Sequence, residues 1–350
     1  MPPSDFILAL PKAELHLHLE GSVEPDTLAE LSRRHAAPLI AANPAYVASP
    51  VSSRALSPDE ARSLYQYADF GGFLVAFKAV TECLRTADDF ELVTYRLMER
   101  LHAEHVLHAE VYVSVGVYLW RGDDFDALFA GMERGRRRGL RDFGVSLFWL
   151  FDAVRQFGPE AARSVVEKTI ELRGESVIGF GIGGDERRGP PELFRDVYAY
   201  AREQGLRVTA HAGESCGPES ITAALDTLGA ERMGHALTAC RDRELLARLV
   251  ERQVPLEICL TSNLRTGCCP SLAEHPLKHY VELGALVTLN SDDPSMFGTS
   301  LAREYQLAQE TFGFTAAQLR ALAANSFRAS FLDDGRKQHF LQLLEGVPAR

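Results

Sequence analysis

Eight short β-rich runs, each followed by a turn and a helical pattern, recur along almost the whole chain. This alternation predicts parallel strands joined by helices, and no long linker divides the series. We therefore expect an α/β fold closed as a (β/α)8 TIM barrel, with an open doubly wound sheet as the alternative. The predicted strands are the opening run Glu14–Gly21, then His108–Val115, Gly144–Phe151, Val177–Ile182, Leu206–His211, Arg232–His235, Pro255–Leu260 and Ala285–Ser291.

The chain of 350 residues suits one large barrel, so we expect a single domain over residues 1–350. Extra helices follow the first strand, and we predict a helical insertion near the barrel mouth at 37–105. This region begins with a linker rich in Ala, Pro and Ser at 36–58. Residues 60–82 repeat apolar side chains at three- and four-residue steps, which predicts a helix that packs on the core or covers a substrate as a lid. A further helix is predicted over 88–105.

The composition excludes several classes of protein. A formal net charge of −11 argues against nucleic-acid binding, because such proteins concentrate Lys and Arg. No 18 apolar residues run together, and the amino terminus lacks the pattern of a signal peptide. Six cysteines without a Cys-x-x-Cys pair suit neither a disulfide scaffold nor a zinc knuckle. We therefore expect a soluble, cytoplasmic protein that binds neither nucleic acid nor a membrane.

The opening strand carries histidines at alternate positions, His16 and His18. Successive side chains on a strand point to opposite faces, so both imidazoles face one way while Leu15, Leu17 and Leu19 face the other. Leucines packed against helices and histidines aimed at a barrel interior would suit a metal site. The alternative for this stretch alone is two polar residues that face solvent.

Other residues with metal-binding chemistry follow the later strands, and functional residues of such barrels gather at the carboxyl ends of the strands. We predict that one zinc ion is held by His16, His18, His211 and Asp292, since neutral imidazole and carboxylate are both zinc ligands. The absence of thiolates favours a catalytic site, in which zinc lowers the pKa of bound water toward about 7 to 9. Other histidines fall in segments predicted as helix or loop, and we assign them to the surface or to ordinary packing: His35, His102, His105, His275 and His339.

Further residues at the strand ends can take part in proton transfer or substrate binding beside a metal. Glu214 follows His211 by three residues, so its carboxyl group can exchange protons with water and substrate, or can instead cap a helix. His235 ends the next strand and can position the metal-bound water. Asp293 offers a second carboxylate for substrate, and Gly184 leaves backbone N–H groups accessible to a flat ligand.

These residues are also compatible with two other functions. A metal-dependent hydrolase that cuts amides or phosphoesters could use the same barrel, because fold does not fix reaction. Such a site with two metals needs a bridging ligand, and the strand that ends at Ile182 offers no lysine for it. A binding protein that keeps the fold without catalysis is the third possibility, although none of the expected ligands is missing here.

Taken together, these residues resemble the adenosine deaminase family, the mononuclear zinc branch of the amidohydrolase barrels. The matching segments occur in the family's order and span nearly the whole chain. They are Leu10-Pro-Lys-Ala-Glu-Leu-His16-Leu-His18-Leu-Glu-Gly-Ser, Gly184-Asp-Glu, His211-Ala-Gly-Glu214, Glu231-Arg-Met-Gly-His235, Cys259-Leu-Thr-Ser-Asn263 and Asn290-Ser-Asp292-Asp293-Pro.

The resemblance implies a role for each matched residue. Glu214 would protonate purine N1 as hydroxide attacks C6, and His235 would orient the hydroxide. Asp293 would hydrogen-bond purine N7, and the backbone at Gly184 would meet purine N3. The reaction would convert a 6-aminopurine to its 6-oxo counterpart and release ammonia. The zinc ligands implied are the same four, His16, His18, His211 and Asp292.

One departure from the family pattern concerns the substrate. Adenosine deaminases usually carry an Asp after the His-x-His-Leu segment, where it is expected to bind the ribose 5′-hydroxyl, and this chain has Glu20. Relatives with Glu there include adenine deaminases and enzymes that act on aminodeoxyfutalosine, a nucleoside with a bulky 5′ extension. The segment Cys259–Asn263 is more similar to family members that act on nucleosides than to those that act on adenine. We therefore expect a free purine nucleoside and water as substrates, with adenine as the alternative.

Overall fold

The fold is built on one sheet of eight parallel strands, each paired with the next in chain order. Continuous apolar runs such as Leu147–Phe151 form these strands because the sheet is covered on both faces. The strands are β1 (Lys12–His18), β2 (Val106–Val113), β3 (Ser146–Val154), β4 (Val177–Gly183), β5 (Arg207–Ala212), β6 (Arg232–His235), β7 (Leu256–Ile258) and β8 (Val287–Leu289). The computed structural model describes residues 3–35, 39–40, 50–51, 55–67 and 70–348.

The sheet closes on itself where the end of β8 meets β1. The side-chain oxygen of Asn290 accepts the backbone N–H of Leu15 at 2.9 Å and that of His16 at 3.2 Å. The Asp292 N–H donates to the His16 carbonyl at 3.0 Å, and the His18 N–H donates to the Asp292 carbonyl at 2.8 Å. We call these contacts the closure seam. They confirm the predicted (β/α)8 barrel over the open doubly wound sheet.

Helices surround the barrel and connect its strands, as the alternating pattern predicts. All eight predicted strands are present, with ends that differ by a few residues from the prediction. The α-helices are Asp5–Ala9, Pro25–His35, Pro58–Leu64, Phe70–Cys83, Ala87–Ala103, Val115–Arg121, Phe125–Phe143, Gly158–Glu171, Arg195–Glu203, Pro218–Ala223, Arg243–Glu251, Leu260–Arg265, Leu277–Glu282, Pro294–Phe297, Leu301–Phe312, Ala316–Ala329 and Asp334–Glu345.

The region after β1 contains extra helices, but its predicted single helix over 60–82 is wrong. The chain forms two helices there, Pro58–Leu64 and Phe70–Cys83. The first helix ends because Tyr65 is held by distant residues. Its hydroxyl donates to the Val23 carbonyl at 2.7 Å, and its carbonyl accepts from Arg265 at 3.1 Å.

The remaining predictions for this region have separate outcomes. The helix predicted over 88–105 is confirmed as Ala87–Ala103. Within the predicted linker, Leu39–Ile40 and Pro50–Val51 form a short antiparallel ribbon. The rest of that linker up to residue 54 lies outside the described residues. Within the described ranges, no helix has the length and apolar composition needed to cross a membrane.

Candidate metal centre and active site

The closure seam and the end of β5 bring the four predicted ligands together. The ligand atoms of His16, His18, His211 and Asp292 all lie within 4.8 Å of one another, and all four residues are buried. Nε2 of His18 lies 3.3 Å from Nε2 of His211 and 3.4 Å from Oδ1 of Asp292. Nε2 of His16 lies 3.5 Å from the same Asp292 oxygen. Three imidazoles and one carboxylate thus surround a single point at the barrel mouth.

Hydrogen bonds fix which ring nitrogen of two histidines faces that point. Nδ1 of His16 lies 2.8 Å from the Glu257 carboxylate, and Nδ1 of His211 lies 3.0 Å from the Ile182 carbonyl. Carboxylates and carbonyls only accept hydrogen bonds, so each Nδ1 carries a hydrogen and each Nε2 is the nitrogen that faces the centre. Metal-binding histidines are supported in this way. Nε2 of His16 is buried with no hydrogen-bond partner among the described residues, as a metal ligand would be.

The protonation of these groups also fits a cation. Burial lowers the pKa of His18 to about 3, and it lowers the pKa of His211 well below its usual value with help from His16 and His18. Burial opposes ionisation of Asp292, but the neighbouring His16 imidazole holds the pKa of this carboxyl well below its usual value. Burial also works against a proton on His16, yet Asp292 and Glu257 raise its pKa to about 10. A metal would take the place of that proton.

The backbone is strained at the residues that point into the centre. Asp292 has a φ of 63° and His235 has a φ of 65°, in the left-handed region that non-glycine residues rarely adopt. Next to His235, Gly234 leaves room for the His16 ring. A Cβ on Gly234 would lie 2.7 Å from Cε1 of His16, so a larger residue would displace the imidazole.

Glu214 lies in the loop after β5 and reaches the edge of the centre. One of its carboxylate oxygens lies 3.7 Å from Nε2 of His235, and its side chain is 14% exposed. Burial raises the pKa of Glu214 to about 8, and the charges of Asp292 and Glu186 raise it further in the same direction. Burial thus favours the protonated form of Glu214 beside the candidate metal centre. Glu214 does not cap a helix.

The loop that carries Glu214 is held by Glu186, a buried residue that the sequence analysis did not single out. The Glu186 carboxylate accepts the backbone N–H of Gly213 at 3.0 Å, of Glu214 at 2.8 Å and of Ser215 at 3.1 Å. It also accepts the Ser220 hydroxyl at 2.7 Å. Three consecutive amides bonded to one carboxylate fix the backbone from which Glu214 projects.

His235 is buried and lies between Glu214 and Asp292. Its Nε2 lies 3.9 Å from Oδ2 of Asp292, and its Nδ1 lies 3.2 Å from Nδ2 of Asn263. Asn263 in turn contacts His275, with Oδ1 and Nε2 separated by 3.2 Å. His275 is 4% exposed and hydrogen-bonded, so it belongs to the surroundings of the site rather than to the surface.

The three predicted substrate-binding residues take different positions. Asp293 lines the cavity over Gly21, and burial together with the Asp292 charge raises its pKa well above the usual value. Gly184 lines the same cavity with a φ of 94°. Glu20 is fully buried and does not line it. Its carboxylate accepts the Ser114 N–H at 3.0 Å and the Tyr118 hydroxyl at 2.9 Å, so Glu20 supports the cavity wall from behind.

A cavity of about 330 Å³ leads from the metal centre to the surface. The metal end contains His18, His211, Glu214, His235, Asp292 and Asp293. The outer end is mostly apolar, because the helices Phe70–Cys83 and Val115–Arg121 and the loop after β3 supply aromatic and aliphatic side chains, along with a few polar ones such as Lys78 and Arg121. The aromatic and aliphatic side chains are Phe73, Leu74, Phe77, Val117, Trp120 and Phe157.

Asp152 near the end of β3 lines the cavity and was also missed by the sequence analysis. It is 4% exposed, and its Oδ1 is a buried atom without a hydrogen-bond partner among the described residues. Burial raises the pKa of Asp152 to about 8. The only signal in the sequence was an acidic residue at the end of an apolar strand.

An interior cluster beneath the metal centre was missed as well. Arg232 pairs with Glu110 and lies 2.6 Å from Glu257, and all three side chains are buried inside the barrel. Since Glu257 also accepts from His16, the cluster connects the barrel interior to the metal centre. We call Glu110, Arg232 and Glu257 the interior cluster.

A second arrangement of ligand atoms shares the Asp292 carboxylate with His235 and Cys259. Burial raises the pKa of the Cys259 thiol well above its usual value, with carboxylates adding to the effect. A thiol that keeps its proton is a poor metal ligand. The set of three histidines and Asp292 is therefore the better candidate for a metal site.

Comparison with known proteins agrees with this geometry. The sequence model of the adenosine deaminase family, described as adenosine deaminase, matches residues 11–347. An aminodeoxyfutalosine deaminase from Streptomyces avermitilis is 38% identical over 334 residues, which cover 95% of this chain and 89% of the relative.

Two solved structures share the fold over nearly their whole length. An adenine deaminase from Arthrobacter aurescens superposes with a TM-score of 0.88 at 32% identity, covering 96% of this chain and 98% of the other. An amidohydrolase from Burkholderia ambifaria with bound Zn superposes with a TM-score of 0.84 at 29% identity, covering 99% and 94%. With its matching sequence, barrel and cluster of metal-binding side chains, this chain belongs to the adenosine deaminase family and is a hydrolytic deaminase.

Proposed function

We propose that this deaminase is zinc-dependent, binds one zinc ion per chain, and converts a 6-aminopurine nucleoside to its 6-oxo product and ammonia. The observation that carries the proposal is the placement of Glu214, whose pKa is raised by burial, beside a centre of three histidines and Asp292. A deaminase of this kind needs an activated water and a proton donor on neighbouring sides of the substrate.

The proposed ligands are His16, His18, His211 and Asp292. A zinc ion held there would supply a water with a pKa near neutrality. The chain's own contribution is to present three imidazole nitrogens and one carboxylate, with the supporting bonds of His16 and His211 already made. Preorganised ligands reduce the cost of rearrangement when the metal binds.

Two carboxyl groups that hold protons would contact the purine. Glu214 would donate its proton to N1, which makes C6 more electrophilic, and would then recover a proton from the attacking water. Asp293 would donate a hydrogen bond to N7, a role that requires a protonated acid because N7 only accepts. His235 would hold the attacking water, and the backbone of Gly184 would meet N3.

The outer half of the cavity favours a nucleoside over a free base. A purine ring that reaches the metal centre leaves the apolar outer end unfilled, whereas a nucleoside with a 5′ extension would occupy it. Asp152 also lines the cavity and its Oδ1 has no hydrogen-bond partner among the described residues, so we propose that its carboxyl group binds a sugar hydroxyl. Adenine has no hydroxyl group to donate there.

The substrate contact predicted for Glu20 stays a prediction. Its buried carboxylate has one oxygen, Oε2, without a hydrogen-bond partner among the described residues. Because Glu20 is hydrogen-bonded to Ser114 and Tyr118, we expect a substitution of Glu20 to change the shape of the cavity wall as well.

Adenine is the second candidate substrate. The Arthrobacter aurescens structure is that of an adenine deaminase, and an adenine deaminase from Geotalea uraniireducens is 35% identical over 337 residues, or 96% of this chain. Adenine would fill only the metal end of the cavity.

The test is a parallel comparison of kcat/KM for adenosine, adenosines with apolar 5′ substituents, and adenine. We expect the nucleosides to react faster than adenine. The variant Asp152→Asn should lower kcat/KM for nucleosides more than for adenine. Adenine as the fastest substrate would contradict the proposed substrate, and hydrolysis of amides or phosphoesters without deamination would contradict the reaction.

A further inference from the structure

The chain of polar contacts behind His235 determines which of its nitrogens carries a hydrogen. The chain starts at the backbone N–H of Leu277, which lies 3.1 Å from Nδ1 of His275. A backbone N–H can only donate, so Nδ1 of His275 is the acceptor. Burial, with a contribution from His235, lowers the pKa of His275 to about 4, so the ring is neutral and its hydrogen is on Nε2.

That hydrogen sets the orientation of Asn263. Nε2 of His275 lies 3.2 Å from the Asn263 side chain and donates, so the Asn263 atom facing it is the carbonyl oxygen. The Asn263 amide nitrogen then faces Nδ1 of His235 at 3.2 Å and donates to it. Nδ1 of His235 is therefore an acceptor, and in the neutral ring the hydrogen lies on Nε2.

Burial makes this arrangement specific. Asn263 is 0% exposed and His235 is 1% exposed, so neither has water as a substitute partner. The Asn263 backbone is also fixed, since its N–H donates to Cys259 at 3.0 Å and its carbonyl accepts from Cys269 at 2.8 Å. A reversed amide would place two acceptors or two donors against each other, at a cost in a site without solvent.

We infer that Asn263 and His275 are positioning residues that fix the tautomer of His235, so that His235 presents an N–H to the reacting centre. Nε2 of His235 faces Glu214 at 3.7 Å and Asp292 at 3.9 Å, on the side where the attacking water would lie. A neutral His235 in this tautomer donates a hydrogen bond to that water and cannot remove its proton. Proton transfer is then left to Glu214. The catalytic role that we infer for this tautomer rests on the proposed function. The assignment of the tautomer itself is independent of that function.

The direct test is nitrogen NMR of the zinc-loaded enzyme labelled with 15N-histidine, with the His235 signals assigned from their loss in His235→Gln. We expect His235 to show a protonated Nε2 and an unprotonated Nδ1. The variant His275→Leu removes the donor to Asn263 and should shift the His235 signals toward the other tautomer. His279→Leu is the matched control, because His279 lies exposed in the helix Leu277–Glu282 that follows His275, and it should leave the His235 signals unchanged.

Kinetics provide a second readout on the same variants. His275→Leu should lower kcat about 10- to 100-fold with little change in KM, whereas His275→Gln, whose amide can accept from Leu277 and donate to Asn263, should retain activity within a few-fold. A purely structural role would change the unfolding midpoint without changing the His235 tautomer. A protonated Nδ1 in the wild type, or an unchanged tautomer in folded His275→Leu, would overturn the inference. Failure to deaminate purines would contradict the proposed function and leave the NMR result standing.

Discussion

Buried carboxyl groups occur both in the interior cluster and at the barrel mouth, but their pKa values are shifted in opposite directions. In the interior cluster, Arg232 pairs with two carboxylates, so buried charges are matched by opposite charges. At the mouth, Glu214, Asp293 and Asp152 are buried carboxyl groups whose pKa values are raised. A buried carboxyl group is therefore stabilised as a charged carboxylate in the interior cluster, whereas at the mouth its protonated form is favoured.

Burial acts on both layers, and the neighbouring charge decides the outcome. Burial alone would raise the pKa of Glu110, but Arg232 and His108 lower it to about 2. At the mouth, burial and the acidic neighbours Asp292 and Glu186 raise the pKa of Glu214 by more than His16 and Arg155 lower it. This difference assigns stability to the interior cluster and chemistry to the mouth.

The largest expected effect is on activity at the mouth. Glu214→Gln keeps the size and hydrogen-bonding groups of the side chain but cannot transfer a proton, so kcat should fall about 100- to 10,000-fold. Zinc content and the free energy of unfolding should stay close to wild type. Full activity of the zinc-loaded variant would show that Glu214 is not the acid and base.

The next effect is on stability in the interior cluster. Arg232→Met leaves two buried carboxylates without their cation and should lower the free energy of unfolding by about 3–5 kcal/mol, measured by urea denaturation. The control is Arg248→Met, which removes an arginine that is 40% exposed and paired with Asp226. That change should cost less than about 1 kcal/mol. Equal effects of the two substitutions would remove the distinction between paired interior and surface charges.

The pH dependence of stability should come partly from the same cluster. The pKa of Glu110 is about 2 in the folded protein and 4.5 in the usual state, so protons bind more tightly to the unfolded chain. Its stabilising contribution is present above pH 4.5 and is lost as the pH falls toward 2. The free energy of unfolding of the wild type should therefore fall by roughly 3 kcal/mol more than that of Glu110→Gln over this window. Parallel curves for the two proteins would contradict the shift.

The smallest expected effect concerns the apolar end of the cavity. Trp120 is 73% exposed and stacks on Phe157 with ring centroids 5.4 Å apart. Trp120→Ala should lower kcat/KM about three- to tenfold, or roughly 1 kcal/mol, for adenosines with apolar 5′ substituents. Adenine should react at the wild-type rate, and an equal loss for adenine would show that Trp120 acts on the metal end instead.

The barrel and the clustering of the four candidate metal ligands were predictable because their signals are local in the sequence. Alternating histidines on β1 and polar residues directly after later strands identify their positions without knowledge of tertiary contacts. The order of strands around the barrel then brings His16, His18 and His211 to the same end, and the closure seam brings Asp292 beside them.

The supporting residues were not predictable because their partners are distant along the chain. Glu110, Arg232 and Glu257 look like ordinary strand residues until the barrel closes around them. His275 has a role only through Asn263, and the break at Tyr65 depends on contacts with Val23 and Arg265. Local periodicity continues across that break and therefore predicted one helix where there are two.

The most direct test of the account is a zinc titration of metal-depleted protein, with ammonia release from an adenosine substrate measured at each step. The account predicts no activity without metal, and activity that rises in proportion to zinc and reaches its maximum at one zinc per chain. Ammonia release from metal-free protein, or a maximum reached only at two zinc ions per chain, would contradict it.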